Sequence, residues 1–313
     1  MNIYIIIPVF NEEKYLQESI DSIVKQTLLP KILLLVNDSS TDNSEKILKK
    51  YSNEFSWIKY INIKSKQVHI PGEKVINAFN KGLEKLDSNY DIICKFDSDI
   101  ILPENYLESI INIFNSDPKV GIAGGNLYIK KKNKWVYEKI SSKNHVRGPI
   151  KSYRKKCFED IQGLRKSIGW DTVDVLIAQY HDWKIKTDKS LAVKHLKPTG
   201  ANYSYHSKFL QGEALYKMRF GLLLSIVSVL KTSINTGRLL MMFFAFFGYN
   251  ESFEGPNGLS NFKDELEAFV QHTLNQEYNG ESAPQLVLIS PIAFQDLTDK
   301  YDLPDGKKEN INL

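Results

Sequence analysis

The sequence predicts an α/β fold, a doubly wound sheet whose strands alternate with helices. Three observations predict it. Residues 3–7, 32–36 and 91–96 are short runs rich in apolar and β-branched side chains, the pattern of strands covered on both faces. Between them lie segments with apolar residues at helical spacing, and such alternation implies parallel pairing through right-handed crossovers. Three strand ends run into polar loops, residues 8–13, 37–44 and 97–99, which this kind of sheet gathers on one rim, where ligands bind.

Taken in order, the first strand leads into Pro8-Val9-Phe10-Asn11-Glu12-Glu13. Leu16, Ile20 and Ile23 then mark a helix over 15–26. The second strand, 32–36, ends in Asn37-Asp38-Ser39-Ser40-Thr41-Asp42-Asn43-Ser44, a run of turn and N-cap residues before a helix at 45–51. A third strand is expected over 58–63, a helix over 74–86 and a fourth strand over 91–96. The fourth strand ends in Asp97-Ser98-Asp99, and after Pro103 a helix is expected over 106–114. Val120-Gly121-Ile122-Ala123-Gly124-Gly125-Asn126 reads as a strand whose glycines let the backbone approach a ligand closely. The charged run 130–134 reads as a solvated hairpin turn, and 147–155 as a strand leading to a helix.

Composition narrows the function. A chain of 313 residues holds one large domain or two modest ones. Its formal charge of +4 is too small to argue for nucleic acid. Cys94 and Cys157 lack metal-type spacing, which fits a reducing compartment and excludes a disulfide scaffold. The N-terminus has no basic leader and reads as a strand rather than a signal peptide. No apolar run reaches the roughly 18 residues of a membrane-spanning helix.

The chemistry centres on Asp97 and Asp99. Side chains alternate along an extended segment, so two carboxylates one residue apart point the same way. They repel unless a cation lies between them, and a hard divalent ion carrying phosphate oxygens suits the place. A lone Asp-x-Asp is common, but this one lies about 60 residues beyond the Asp-Ser-Ser-Thr-Asp loop, itself about 30 beyond Pro-Val-Phe-Asn-Glu-Glu.

With Gly169-Trp170-Asp171-Thr172-Val173-Asp174 and His195-Leu196-Lys197-Pro198-Thr199-Gly200, these motifs make residues 4 to about 245 resemble a family 2 glycosyltransferase. The resemblance implies the GT-A fold, a doubly wound mixed sheet, and a nucleotide-diphosphate sugar as donor. It puts Pro8, Phe10, Asn11, Glu12 and Ser40 in the nucleotide-sugar site, with Asp38 accepting from an N–H of the base. It places Asp97, Ser98 and Asp99 at the diphosphate, with Mn²⁺ or Mg²⁺ on Asp97 and Asp99 and Asp99 as the direct ligand. The family often has Asp at Asn37 and Gly at Ser39, which leaves UDP against GDP open. Lys74 either reaches phosphate or is an exposed lysine at a helix start. His195 either completes the metal or diphosphate site or is structural.

An inverting transferase needs a general base for the acceptor hydroxyl. Relatives place a Glu-Asp pair at a helix start here, and Asp171 falls on its Asp, with Trp170 in place of the Glu. Asp171 is therefore the expected base and Asp174 the alternative. One turn separates them, so both can face the site. The competing reading makes Asp171 a helix N-cap. Trp170 either stacks on a sugar or packs in the core. Gln162 stands in the first Gly position of a Gly-Gly-Leu-like turn.

Residues 220–230 and 239–249 are uncharged runs flanked by Arg219, Lys231 and Arg238. They suit helices lying in a membrane interface or packed in a core. From about 246 the text resembles part of an SGNH-type hydrolase, with Gly248 and Asn250 on its Gly-x-Asn motif. No nucleophile block or Asp-x-x-His accompanies it, so a Ser-His couple cannot form. The expectation is an appended, poorly packed fragment with an isolated apolar strand at 286–289, arising from fusion or a misdrawn gene.

The expected organisation is a glycosyltransferase domain over 1–215, apolar helices over 216–249 and a tail over 250–313. The resemblance implies a glycan or lipid-linked acceptor, peripheral contact with the inner face of the cell membrane from the cytoplasm, and no nucleic-acid partner. Two other readings stand beside it. A nucleotidyltransferase would want a Gly-rich basic loop after the first strand. A non-catalytic sugar-binding module would turn Asp97, Asp99 or Asp171 away from the cleft.

Overall fold

A computed structural model describes residues 1–65, 72–140, 145–167 and 169–198, with Leu215 and Ser225 besides. The chain divides into two units, Met1–Tyr203 and Ser204–Leu313. The apolar runs at 220–230 and 239–249 and the hydrolase-like tail lie outside the described residues, as do Pro71, Thr199 and Gly200.

The first unit is built on one mixed sheet. Strands β1 (Ile3–Val9), β2 (Ile32–Asp38), β3 (Ile58–Ile63) and β4 (Ile92–Phe96) pair in parallel, in the order β3-β2-β1-β4. Helices α1 (Leu16–Val24), α2 (Ser44–Glu54) and α3 (Glu73–Leu83) form the crossovers. In β1 every residue but Pro8 is buried, which is why its sequence shows no polar alternation. After β4 come the two-residue β5 (Ile100–Ile101), helix α4 (Tyr106–Ser116), β6 (Val120–Lys131), β7 (Lys134–Tyr137) and β8 (Ile150–Arg154). Helices α5 (Lys155–Asp160) and α6 (Trp170–Tyr180) and strand β9 (Lys184–His195) complete the unit. Here the direction changes: β8 runs antiparallel to β4, β6 antiparallel to β8, and β9 parallel to β6. The full order is β3-β2-β1-β4-β8-β6-β9-β5, with β7 hung on β6.

Two details depart from the expectation. The hairpin turn at Lys132 and Asn133 is where the charged run put it, but 147–149 is a loop, and the strand begins at Ile150. The glycines of β6 are buried against protein. A Cβ on Gly121 would strike Cys157 and Trp183, one on Gly124 would strike Val146, and one on Gly125 would lie 2.3 Å from the Leu191 carbonyl oxygen. They are small because α5, β9 and the loop residues Val146 and Trp183 press on this strand. Gly125→Ala is expected to cost about 1–3 kcal/mol through overpacking against backbone. An unchanged denaturation midpoint would show that β9 can shift instead.

Candidate active site

The C-terminal ends of β1, β2 and β4, the start of α6 and the end of β9 surround a cleft of about 520 Å³. Its acidic centre is the turn between β4 and β5. That turn is held from both sides: the Asp97 N–H donates to the Pro149 carbonyl (3.0 Å), and the Leu196 N–H donates to that of Asp99 (2.8 Å). Convergence of the two carboxylates thus comes from a pinned turn, not from alternation along an extended strand. His195, at the end of β9, pairs in register with Ile100. One ligand atom each from Asp97, Asp99 and His195 lie within 4.8 Å of one another. Two carboxylates and an imidazole form a donor set that fits a divalent cation of the Mn²⁺ type.

Charges around this cluster are paired. The Lys95 ammonium, 2% exposed, bonds to Asp97. Nε2 of His195 faces Asp99 Oδ1 at 3.6 Å, and Nδ1 faces Glu138 Oε2 at 3.4 Å. Burial lowers the His195 pKa, but the two carboxylates outweigh it and raise it to about 9. Lys197 reaches across to Glu12 at 2.6 Å. Burial, helped by Asp99 and Asp97, holds the Glu12 carboxyl above its usual range despite that lysine. Glu12 and Asp99 outweigh burial at Lys197 and raise its pKa, so it stays cationic.

At the other end of the cleft the first two loops are laced together. The Asn11 N–H donates to Ser40 Oγ (3.0 Å), the Thr41 N–H to Asn11 Oδ1 (2.7 Å) and the Glu12 N–H to Ser44 Oγ (2.9 Å). Asn11 and Ser39 take left-handed backbones, with φ of 54° and 62°, which is why glycine suits the second position. Asp38 is nearly fully buried and accepts from the Ser65 hydroxyl at 2.7 Å and its N–H at 3.1 Å. Lys74 lies 3.8 Å from Asp38 and 3.6 Å from the centroid of the Phe10 ring. It is a cleft residue, not an exposed helix-start lysine. Pro8, Phe10, Asn11, Glu12, Asp38, Lys74, Asp97, Ser98, Asp99 and His195 all line the cleft; Ser40 stands behind and braces Asn11.

The third wall is the start of α6. Gly169, with φ 78°, is the N-cap, so Asp171 does not cap the helix. Asp171 lines the cleft and accepts from the Gly148 N–H at 3.3 Å. Burial pushes its carboxyl up, but Lys151, His145 and Arg147 outweigh it and hold it below the usual range. His145 itself, lowered to about 4 by burial and by Lys151, is neutral at pH 7. Trp170 is 7% exposed, with Lys95 and Lys151 at 5.0 and 5.6 Å from its ring centroid. It packs into the wall of the cleft and is nearly buried there.

Asp174 is placed differently. It is not among the cleft-lining residues. Its carboxylate receives Lys151 (2.7 Å to Oδ2) and the Tyr153 hydroxyl, both buried. Burial raises its pKa against those partners. Spacing of three put both acids on one side of the helix, but a buried ammonium below claims the deeper one.

Lys95, Arg147 and Lys197 also line the cleft, and the motifs of the sequence give them no role. A lysine in an otherwise apolar strand before Asp-x-Asp was a usable signal for Lys95. Arg147 and Lys197 had no assignable role, because their place depends on where the segment before β8 and the one after β9 reach the rim of the sheet.

A mixed sheet whose rim carries an acid-acid-histidine cluster beside a cleft belongs to the GT-A class of nucleotide-diphospho-sugar transferase folds. The family model for glycosyl transferase family 2 matches residues 4–169, and the chain belongs to that family. It is 33% identical over 122 residues to the minor teichoic acid biosynthesis protein GgaA of Bacillus subtilis, covering 38% of this chain and 26% of GgaA. The chain spans about a quarter or less of the length of the curated relatives it matches first. Among solved structures, S. aureus TarS 1-349 in complex with UDP-GlcNAc superposes with a TM-score of 0.55 at 18% identity, over 87% of this chain and 81% of that one. The mannosyltransferase PcManGT of Pyrobaculum calidifontis, in complex with GDP-Man and Mn²⁺, gives 0.53 at 11% identity, over 90% and 88%. At those identities the likeness is one of fold. Among the described residues no helix is long and apolar enough to cross a membrane.

Proposed function

We propose that the chain transfers a sugar from a UDP- or GDP-linked donor to a hydroxyl of a glycan or lipid-linked acceptor, with inversion, in cell-envelope polysaccharide or glycolipid synthesis. The observation that carries this reading is the convergence of Asp97, Asp99, His195 and Asp171 on one cleft. The donors named in the TarS and PcManGT complexes support the donor class, and the Mn²⁺ of the latter supports a metal. The role named for GgaA supports the envelope setting. Two free, buried cysteines fit a cytoplasmic site of action; contact with the inner face of the membrane belongs to the same proposal.

In this reading Asp38, Phe10 and the 8–13 loop hold the nucleoside, and Lys74 and Lys197 face the diphosphate. Asp97, Asp99 and His195 would hold a divalent cation, which would supply Lewis-acid stabilisation of the leaving diphosphate. Asp171 takes the acceptor proton as the acceptor oxygen attacks the anomeric carbon. The bond from that carbon to the diphosphate oxygen breaks, and the diphosphate leaves with the electron pair. Because its carboxyl is held below the usual range, Asp171 is ionised and ready throughout neutral pH.

A panel of UDP- and GDP-sugars with Mn²⁺ or Mg²⁺ tests this. UDP or GDP should be released from at least one donor, and both EDTA and Asp99→Ala should abolish the release. Release indifferent to both would overturn the metal role, and no release from any donor would overturn the activity.

A further inference from the structure

We propose that Glu138 is a positioning residue for the cation site: its buried carboxylate accepts the Nδ1–H of His195 and so presents Nε2 to Asp99 and Asp97. The inference rests on reading that cluster as a cation site, and it adds a residue which no motif in the sequence marks.

Glu138 follows β7 directly, and its N–H donates to the Leu127 carbonyl at 2.9 Å. That bond closes the β6–β7 hairpin at its base. The hairpin tip carries exposed lysines, yet Glu138 is only 3% exposed. A carboxylate is costly to bury unless charge and hydrogen bonds compensate it. Among the described residues Nδ1 of His195 at 3.4 Å and Nη1 of Arg147 at 3.2 Å contribute to this, both from nearly buried residues. The other ring nitrogen of His195 lies 3.6 Å from Asp99. The histidine is therefore held between a carboxylate of the cation cluster and one behind it.

That order matters for ligation. An imidazole can offer either nitrogen, and the hydrogen bond made by the other decides which. A carboxylate behind the ring fixes its rotation and its tautomer and makes the ligating nitrogen more basic. Loss of such a partner costs on the order of 10–100-fold in metal affinity. The competing account makes Glu138 only a counter-ion for Arg147. That account predicts lost stability with unchanged metal binding.

The test titrates the full chain with Mn²⁺ in the absence of donor, following free Mn²⁺ by its paramagnetic resonance signal, so that turnover plays no part. Glu138→Gln keeps the shape of the side chain and removes its charge, and should weaken Mn²⁺ binding by about tenfold or more. Glu138→Ala should weaken it further; if that variant does not fold, Glu138→Gln decides. Glu138→Gln binding Mn²⁺ as the unaltered chain does would overturn the proposal, whatever happens to its melting temperature. An unaltered chain that binds Mn²⁺ no better than Asp99→Ala would remove the cation site itself, and this inference with it.

Discussion

Asp171→Asn is expected to lower kcat by about 10²–10⁴-fold, the usual contribution of a positioned general base. The substitution is isosteric, and its side-chain oxygen still accepts from the Gly148 N–H. Folding and Mn²⁺ binding should therefore stay close to those of the unaltered chain. What is lost is the capacity to take a proton at the place where the acceptor hydroxyl meets the cleft. Measuring kcat and KM separately sharpens the result. A base acts in the transition state, so kcat and kcat/KM should fall together while the donor KM holds. A kcat within about threefold of the original would show that proton removal is not an enzymic step here, or that another group performs it.

Asp174→Ala is expected to have the opposite profile, a large loss of stability. The carboxylate it removes faces the Lys151 ammonium and the Tyr153 hydroxyl, all deep in the protein. Removing one partner of a buried ion pair leaves an uncompensated charge, at a cost of about 3–5 kcal/mol. Lys151 also donates to the backbone carbonyl of Asp171, so the start of α6 should loosen as well. Denaturant unfolding measures the loss. The double substitution Lys151→Met, Asp174→Leu should recover much of it, because an apolar pair of similar size needs no compensation. If Asp174→Ala instead unfolds at the original midpoint but loses kcat, Asp174 rather than Asp171 removes the proton.

These two acids also mark the limit of what could be read from the sequence. Three residues apart on one helix, they are alike in every local respect. Periodicity places both on one side of α6 and stops there. The difference lies in Lys151, a buried lysine on a strand that runs antiparallel to β4, and nothing at positions 171–174 announces it. The same holds for His195. Apart from the family resemblance, a single histidine at the end of a strand has no local mark of ligation, and it is the pairing of β9 with β5 at Ile100 that brings it to Asp99. The β6 glycines show the same limit. Small residues in a strand fit either a ligand or a close-packed neighbour, and here the neighbours are Cys157, Val146 and Leu191.

The amino-acid order by itself determined the parallel half of the sheet, the three polar loops at its rim and the family. Each of these depends on short-range regularities: apolar runs of strand length, helical spacing between them, and turn-forming residues at the junctions. Only the tertiary structure decided which acid faces the cleft, which cations line it, and that Glu138 stands behind His195. Those relations join residues 23 positions apart for Lys151 and Asp174, 57 for Glu138 and His195, and 185 for Glu12 and Lys197. They are set by strand register and by where a buried charge finds its partner, and neither leaves a periodic trace along the chain.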